Sequence, residues 1–320
     1  MDRISEIITG PEANDLRLDV FLAKRFNYHS RSEWQKAVQE GEILLNGRKT
    51  KASRLLHSGE KIAFVPKEPL PEPPVDTNYQ ILERTPHYIA VNKPGNLPCH
   101  PSGIFFKHTL WYLMKEDLGC DLHIITRLDR ETSGVVLAAL DSETASRMTQ
   151  DMMAGKIEKR YYSIVHGNFE KEIHAKGYLS NDPGAVVHKK RRFTVQEVPE
   201  SESSETLLLP VAGDGTFSLV EARPRTGRLH QIRATLCSLG YPLAGDKLYG
   251  TDETFFLRFI EDALTEEDRA SLRLTGQALH AAELIWNGIH FRAPVPDEWK
   301  EKFPELFKIM NLSESLMSRK

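Results

Sequence analysis

The chain has 320 residues, 40% hydrophobic and 27% charged, the balance of a soluble globular protein with room for two domains and one sizeable core. Its three cysteines, Cys99, Cys120 and Cys237, lie far apart with no C-x-x-C, which excludes a disulfide framework and a cysteine zinc site and fits a reducing compartment. The charged N-terminus lacks the apolar core of a secretory signal, and no run approaches the roughly 18 apolar residues of a membrane span, so the expectation is a cytoplasmic protein.

The formal net charge of −3 excludes a uniformly basic coat, but its distribution is uneven. From Arg17 to Lys67 there are 11 Lys and Arg against 5 Asp and Glu, a local net of +6 that leaves −9 for the rest. Residues 17–65 read as a small unit. Leu18, Val20, Phe21, Leu22 and Phe26 predict a first amphipathic helix. Ser30-Arg31-Ser32-Glu33 is a capping box opening a second helix, with Trp34, Ala37 and Val38 on one face and Gly41 as its stop. Ile43-Leu44-Leu45 meets the hairpin dipeptide Asn46-Gly47, and Lys61-Ile62-Ala63-Phe64-Val65 completes a small sheet. This order, from Arg17-Leu18-Asp19 through Ser30-Arg31-Ser32 and Asn46-Gly47 to Gly59-Glu60-Lys61-Ile62, resembles the S4 RNA-binding domain. Arg31, Lys36, Arg48 and Lys49 are the candidate phosphate contacts, weighed against their being ordinary solvated charges; the local basic excess favours RNA.

Pro66 to Asp76 carries five prolines and reads as a semi-rigid linker. The expected organisation is therefore a domain over 1–65, a linker over 66–77, a second domain over 78–310 and a frayed polar tail over 311–320. In the second domain Tyr88-Ile89-Ala90-Val91-Asn92 predicts a strand. Lys93 after it reads equally as a phosphate contact or a polar strand end, and no P-loop follows. The apolar run Val135 to Leu140 predicts a buried strand, fed by the loop Thr126-Arg127-Leu128-Asp129-Arg130-Glu131-Thr132-Ser133-Gly134. Taken alone, Asp129 reads as a structural carboxylate closing a turn through Thr132 and Ser133.

Asp141 or Ser142 caps a helix that stops at Gly155, with Ala145, Met148 and Met152 as core. Lys159 to Val165 alternates as a strand, with one of Tyr161 and Tyr162 facing inward. His188 to Arg192 is a basic cluster, and Glu200 to Thr206 reads as a mobile loop. Ser218 to Ala222 is a further strand. Arg225-Thr226-Gly227-Arg228-Leu229-His230-Gln231-Ile232-Arg233 then gathers donors at a helix entry that suits anions. Ala278 to Leu284 begins another strand, and Phe291 to Trp299 is expected to close the sheet. His280 and Glu283 lack metalloprotease spacing, and no metal is expected.

Ile89-Ala90-Val91-Asn92-Lys93-Pro94, Arg127-Leu128-Asp129 to Gly134, Lys159-Arg160-Tyr161, Thr226-Gly227-Arg228-Leu229-His230-Gln231-Ile232-Arg233, Gly245-Asp246 with Tyr249-Gly250, and Ala278-Leu279-His280-Ala281 together resemble the RluA-type pseudouridine synthases, over residues 79 to about 305. The resemblance implies an α+β catalytic domain on a mixed, largely antiparallel sheet behind the S4-like domain. It also implies a cofactor-free isomerisation of uridine in RNA. On the matching positions Asp129 would be the nucleophile, on C1′ or on C6, with Arg233 as its cation and Tyr161 as the base-stacking tyrosine. Arg127 would fill the gap left by the flipped nucleotide. Arg228, His230 and Gln231 would contact RNA, and Ile232 and Leu284 would wall the pocket. Thr126 and Thr235 depart from the family, which usually has histidine at both.

The implied partner is ribosomal RNA of the large subunit, or tRNA, and a monomer is expected. Two further readings stand beside this one. One is an RNA-binding or ribosome-assembly module without activity. The other is a hydrolase pairing Asp129 with Glu131, which on a strand would share a face roughly 6–7 Å apart; against it, Glu131 reads as a solvated loop charge.

Overall fold

A computed structural model describes residues 5–26, 30–65, 72–187 and 189–317. The chain divides into two compact units, residues up to Pro74 with His100–Tyr112, and the remainder. Pro66 to Pro71 of the expected linker, and His188 of the basic cluster, lie outside the described residues.

In the first unit β1 (Ser5–Ile8), α1 (Leu18–Arg25), α2 (Arg31–Glu40), β2 (Ile43–Leu45), β3 (Arg48–Lys49) and β4 (Lys61–Phe64) form a four-stranded sheet of order β1-β4-β2-β3 with two helices. The local signals act where they stand. Ser30 and Glu33 make both hydrogen bonds of the capping box, and Gly41 ends α2 in the left-handed region. Asn46 and Gly47 both take positive φ, as a tight antiparallel hairpin demands. Leu18, Phe21, Leu22, Trp34, Val38, Ile43 and Phe64 build the core. Within this unit Glu72 accepts the backbone N–H groups of Phe106, Lys107 and His108.

Asp19 is fully buried in this unit. It accepts from Arg17, Arg31 and Gln35, and those bonds, that from Arg17 foremost, hold its carboxyl far below the usual range. Arg31 therefore serves this internal pair at 3.1 Å, and Lys36 faces Glu40 at 3.8 Å. Arg48 and Lys49 are exposed.

The second unit contains β5 (Gln80–Arg84) and β6 (Tyr88–Lys93), after which the chain passes through α3 (Leu110–Leu118). Next come β7 (His123–Ile124), β8 (Ser133–Ala139), α4 (Ser142–Met153), β9 (Glu158–His166), β10 (Ile173–Asn181), β11 (Arg191–Thr194), β12 (Glu202–Gly213), β13 (Phe217–Pro224), α5 (Gln231–Ser238), α6 (Thr254–Ile260) and α7 (Glu266–Leu272). The unit ends with β14 (Leu279–Trp286), β15 (Ile289–Arg292), α8 (Asp297–Lys302) and α9 (Pro304–Met317). Its strands form one sheet of order β11-β10-β12-β13-β9-β14-β8-β6-β5, with β15 on β14 and β7 on β8. Every pairing is antiparallel except β8 with β14, so the fold is α+β on a mixed, largely antiparallel sheet.

Strand β8 is buried along all seven residues, as a short β-branched run between covered faces should be. Its register fixes what surrounds the loop before it. Gly134 lies opposite Ala281 of β14, and Ala281 lies opposite Tyr161 of β9. Gly134 has φ +112°, and a Cβ there would sit 2.3 Å from the carbonyl oxygen of Ala281, so only glycine permits this approach.

Four local expectations fail. Residues 202–206 belong to β12, because alternate side chains bury and the backbone pairs with β10. Trp299 sits in α8 rather than in the sheet, which closes with β15. Tyr161 and Tyr162 are both partly buried, each against a different core cluster. The tail from Asn311 continues α9 to Met317, since no glycine or proline stops it.

Candidate active site

The loop before β8 and the first turn of α5 meet around one guanidinium. Arg233 is 7% exposed. Its Nε and Nη2 donate to the two oxygens of Asp246 at 2.7 and 2.9 Å, and its Nη1 donates to Oδ2 of Asp129 at 2.7 Å. Asp246 is fully buried and also accepts the N–H groups of Leu248 and Tyr249, both on Oδ1, the oxygen that Nη2 reaches. The fork to Asp246 aims the remaining nitrogen at Asp129. Burial disfavours the charge of Arg233, and the two carboxylates more than offset it.

Burial pushes the Asp129 carboxyl up, but Arg233 above all, with His230 and Gln277, outweighs it and holds the group below the ordinary carboxylate range. Asp129 is thus ionised at neutral pH. Its side chain is 28% exposed, so it remains reachable from solvent. Gln277 Nε2 approaches Oδ2 at 3.5 Å and donates to Thr132 at 2.6 Å. Among the described residues no donor reaches Oδ1. The turn at Thr132 is closed by the backbone carbonyl of Asp129, not by its carboxylate, which leaves that carboxylate without the structural job first considered for it.

The surrounding loop is tied down independently. Lys93 is fully buried, and its ammonium donates to the carbonyls of Pro94, Leu97 and Arg130 at 2.8, 2.8 and 3.2 Å. Burial lowers its pKa to about 8. It is neither a phosphate contact nor a strand-end charge but a pin for the residue after Asp129. Cys99 Sγ accepts the N–H of Leu128, the residue before Asp129, at 3.3 Å. Glu131 is not a solvated loop charge: it accepts from Lys247, itself 5% exposed, at 2.8 Å. Residues 127–132 are loop, so the strand geometry that would pair Asp129 with Glu131 is absent.

Tyr161 is partly buried and packs against the core cluster that includes Ile232 and Leu279. Burial, with the Asp129 charge added, keeps its hydroxyl protonated far above the usual range. Leu284 packs in another cluster with Val135, Leu137 and Trp286, although a bulge in β14 pairs it with Lys159, two residues along β9 from Tyr161.

The donor-rich run is only partly open. Gln231 is buried and spends all four of its hydrogen-bonding positions internally, accepting from Thr226 and the Arg228 N–H and donating to the Glu205 carbonyl and Thr206. It clamps the loop to β12 and is not an RNA contact. Arg228 is half held by Ser203 and Glu202. His230, φ +55°, turns inward, with Nε2 4.0 Å from Asp129 and Nδ1 3.0 Å from the hydroxyl of Tyr249. Arg127 is exposed. Of the family departures, Thr126 accepts the N–H of Leu137, while the buried Oγ1 of Thr235 has no partner among the described residues.

The residues the sequence reading missed are Asp246, Gln277 and Tyr249. Asp246 and Tyr249 stood in the matched segments but carried no role, because their contacts join distant loops. His280, by contrast, is structural: its rings' partners are Ser133 and the carbonyl of Ala293. Among the described residues no group of three or more His, Cys, Asp or Glu could hold a metal ion.

The pattern of the RNA pseudouridylate synthase family matches residues 87–238, and that of the S4 domain matches residues 16–62. An Aquifex aeolicus RNA pseudouridine synthase is 32% identical over 78% of this chain and 81% of its own. The RNA pseudouridine synthase YlyB of Bacillus subtilis is 27% identical over 95% of this chain and 98% of its own. In fold, human RNA pseudouridylate synthase domain containing 1 matches with a TM-score of 0.56 at 21% identity, over 74% of this chain and 90% of that one. The chain belongs to the RNA pseudouridine synthase family. It is an isomerase of uridine in RNA, carrying an N-terminal S4 RNA-binding domain.

Proposed function

We propose that this protein is an RluA-type enzyme that converts uridines of large-subunit ribosomal RNA to pseudouridine, with Asp129 as its nucleophile. The observation that carries the reading is the Asp246–Arg233–Asp129 chain. It keeps one carboxylate ionised and accessible, with one oxygen held and the other open.

The target nucleotide must leave its stack, because neither C1′ nor C6 can be reached within a helix. Arg127, exposed two residues before Asp129, fills the vacated gap. Tyr161 stacks on the extracted uracil, its hydroxyl kept neutral by burial. Attack by Asp129 permits the C1′–N1 bond to break, the base turns, C5 bonds to C1′, and the C5 proton departs as N1 gains one. No atom is gained or lost, so no co-reactant is required. Arg233 stabilises the carboxylate whenever it is not bonded to substrate.

Binding rests on the S4 unit, where Arg48 and Lys49 are exposed cations. The substrate assignment is an analogy from S4-bearing relatives. One observation favours tRNA instead: the mitochondrial tRNA pseudouridine(32) synthase of Saccharomyces cerevisiae is 26% identical over 74% of this chain. Mapping pseudouridines in ribosomal and transfer RNA from cells lacking the protein decides between them. The reading predicts loss from large-subunit RNA, restored by the wild-type chain and not by Asp129→Asn. Loss confined to tRNA would overturn the substrate, and no loss in either would overturn the function.

A further inference from the structure

The nucleophile has a third neighbour, whose protonation is set by a chain of hydrogen bonds leading away from the site. The backbone N–H of Arg191, at the start of β11, donates to the hydroxyl of Tyr249 at 2.7 Å. That hydroxyl lies 3.0 Å from Nδ1 of His230 and has no other acceptor among the described residues. Its proton therefore goes to Nδ1, which must be the acceptor nitrogen, and the imidazole proton resides on Nε2. Nε2 lies 4.0 Å from Oδ2 of Asp129, the oxygen already held by Arg233. The ring is locked edge-to-face on Tyr249, with centroids 5.5 Å apart, and Tyr249 also lies under the Arg233 guanidinium at 4.9 Å.

We propose that His230 is a positioning residue for the isomerisation: Tyr249 holds it as a neutral Nε2–H donor beside Oδ2 of Asp129, so that Oδ1 is the oxygen presented to the substrate. The inference rests on the reading of Asp129 as nucleophile. A charged imidazole would serve worse, since a second full cation beside Arg233 would lower the nucleophilicity of the carboxylate. The charged and titratable groups around the ring are Arg233 on α5, Asp129 before β8, Asp246 and Tyr249 in the segment after α5, and Lys189 before β11. Burial first, then Arg233, bring the pKa of His230 down to about 4, so it stays neutral through the working range.

The test uses the full-length protein and tritium release from [5-³H]uridine-labelled RNA of cells lacking it, under single-turnover conditions from pH 5 to 8.5. Wild type is expected to show no limb attributable to a histidine near pH 6.5. His230→Phe should lower the maximal rate about tenfold at unchanged RNA affinity, the loss of an Nε2–H dipole 4.0 Å from the charged oxygen. His230→Gln keeps a donor and should recover to within about threefold. Tyr249→Phe removes the proton donated to Nδ1, so an acid limb should enter the measured range, with activity falling as pH falls. That limb should vanish in Tyr249→Phe/His230→Gln. The proposal is overturned if Tyr249→Phe has the wild-type profile, if the limb persists without His230, or if His230→Gln loses as much as His230→Phe. Should His230→Phe fail to fold, the Tyr249→Phe and His230→Gln profiles still decide. Asp129→Asn run alongside separates the premises: release without Asp129 sinks the nucleophile itself, whereas an inert Asp129→Asn with an unaltered Tyr249→Phe profile sinks only the role of His230.

Discussion

Asp246→Asn is the most informative change outside the reacting groups. Asparagine is nearly isosteric, and its carbonyl oxygen can still accept from Leu248 and Tyr249 N–H. Its NH₂ group then takes the place of Oδ2 and faces the Nε donor of Arg233, so the 2.7 Å bond becomes a donor–donor contact in a buried place, while Nη2 keeps its 2.9 Å bond to the carbonyl oxygen. Removing one partner of a buried ion pair costs about 3–5 kcal/mol, because the other charge stays buried without compensation. Asp129, still paired with Arg233 through Nη1, should hold the loss near the lower end of that range. Urea denaturation at pH 7 measures it directly. The pH dependence supplies a second check. Asp246 has a depressed folded pKa, so its contribution is complete above the unfolded value of about 3.9 and fades as pH falls through the folded one. The wild-type and variant curves should therefore converge in acid below about pH 4. Loss of one arm of the fork also loosens the aim of Nη1, so tritium release should drop about a hundredfold with RNA binding little changed. A stability loss under about 1 kcal/mol, or one that does not shrink in acid, would refute the reasoning.

Gly134→Ala should destabilise by at least about 2 kcal/mol and cost activity, since its Cβ would meet Ala281 backbone at 2.3 Å in a left-handed conformation; thermal melts with release assays check both. Thr235→Val removes a buried hydroxyl that has no partner among the described residues and should raise stability by about 1 kcal/mol, read as a melting shift of about 2–4 °C. Arg48→Gln with Lys49→Gln should weaken RNA binding at all sequences and flatten the plot of log affinity against log salt by about 1–2, while leaving single-turnover release at saturating enzyme intact.

What the sequence made legible follows from how far each interaction reaches. The capping box at Ser30, the stop at Gly41 and the Asn46-Gly47 turn are encoded within a few residues, and each folds as read. The buried run of β8 and the loop before it are likewise visible in one stretch. Burial of charge is not. Asp19, Glu131 and Lys93 look like surface groups in the sequence, and each is internal because its partners come from elsewhere in the fold. Gln231 sits in a run of donors and so reads as a contact, yet Thr226, Arg228, Glu205 and Thr206 consume it. The bulge in β14 is a further case: one extra residue shifts Leu284 along β9, and no composition signal marks it. The pairing of Asp129 with Arg233 spans 104 residues and came from the family resemblance, not from spacing or periodicity.

The account stands on Asp129 as the single reacting carboxylate. Single-turnover release of tritium from [5-³H]uridine in RNA, measured for Asp129→Asn beside Glu131→Gln, tests this most directly. The expected outcome is no release above background for Asp129→Asn, and release retained in Glu131→Gln, whose amide can still accept from Lys247. Release by Asp129→Asn together with its loss in Glu131→Gln would contradict the account.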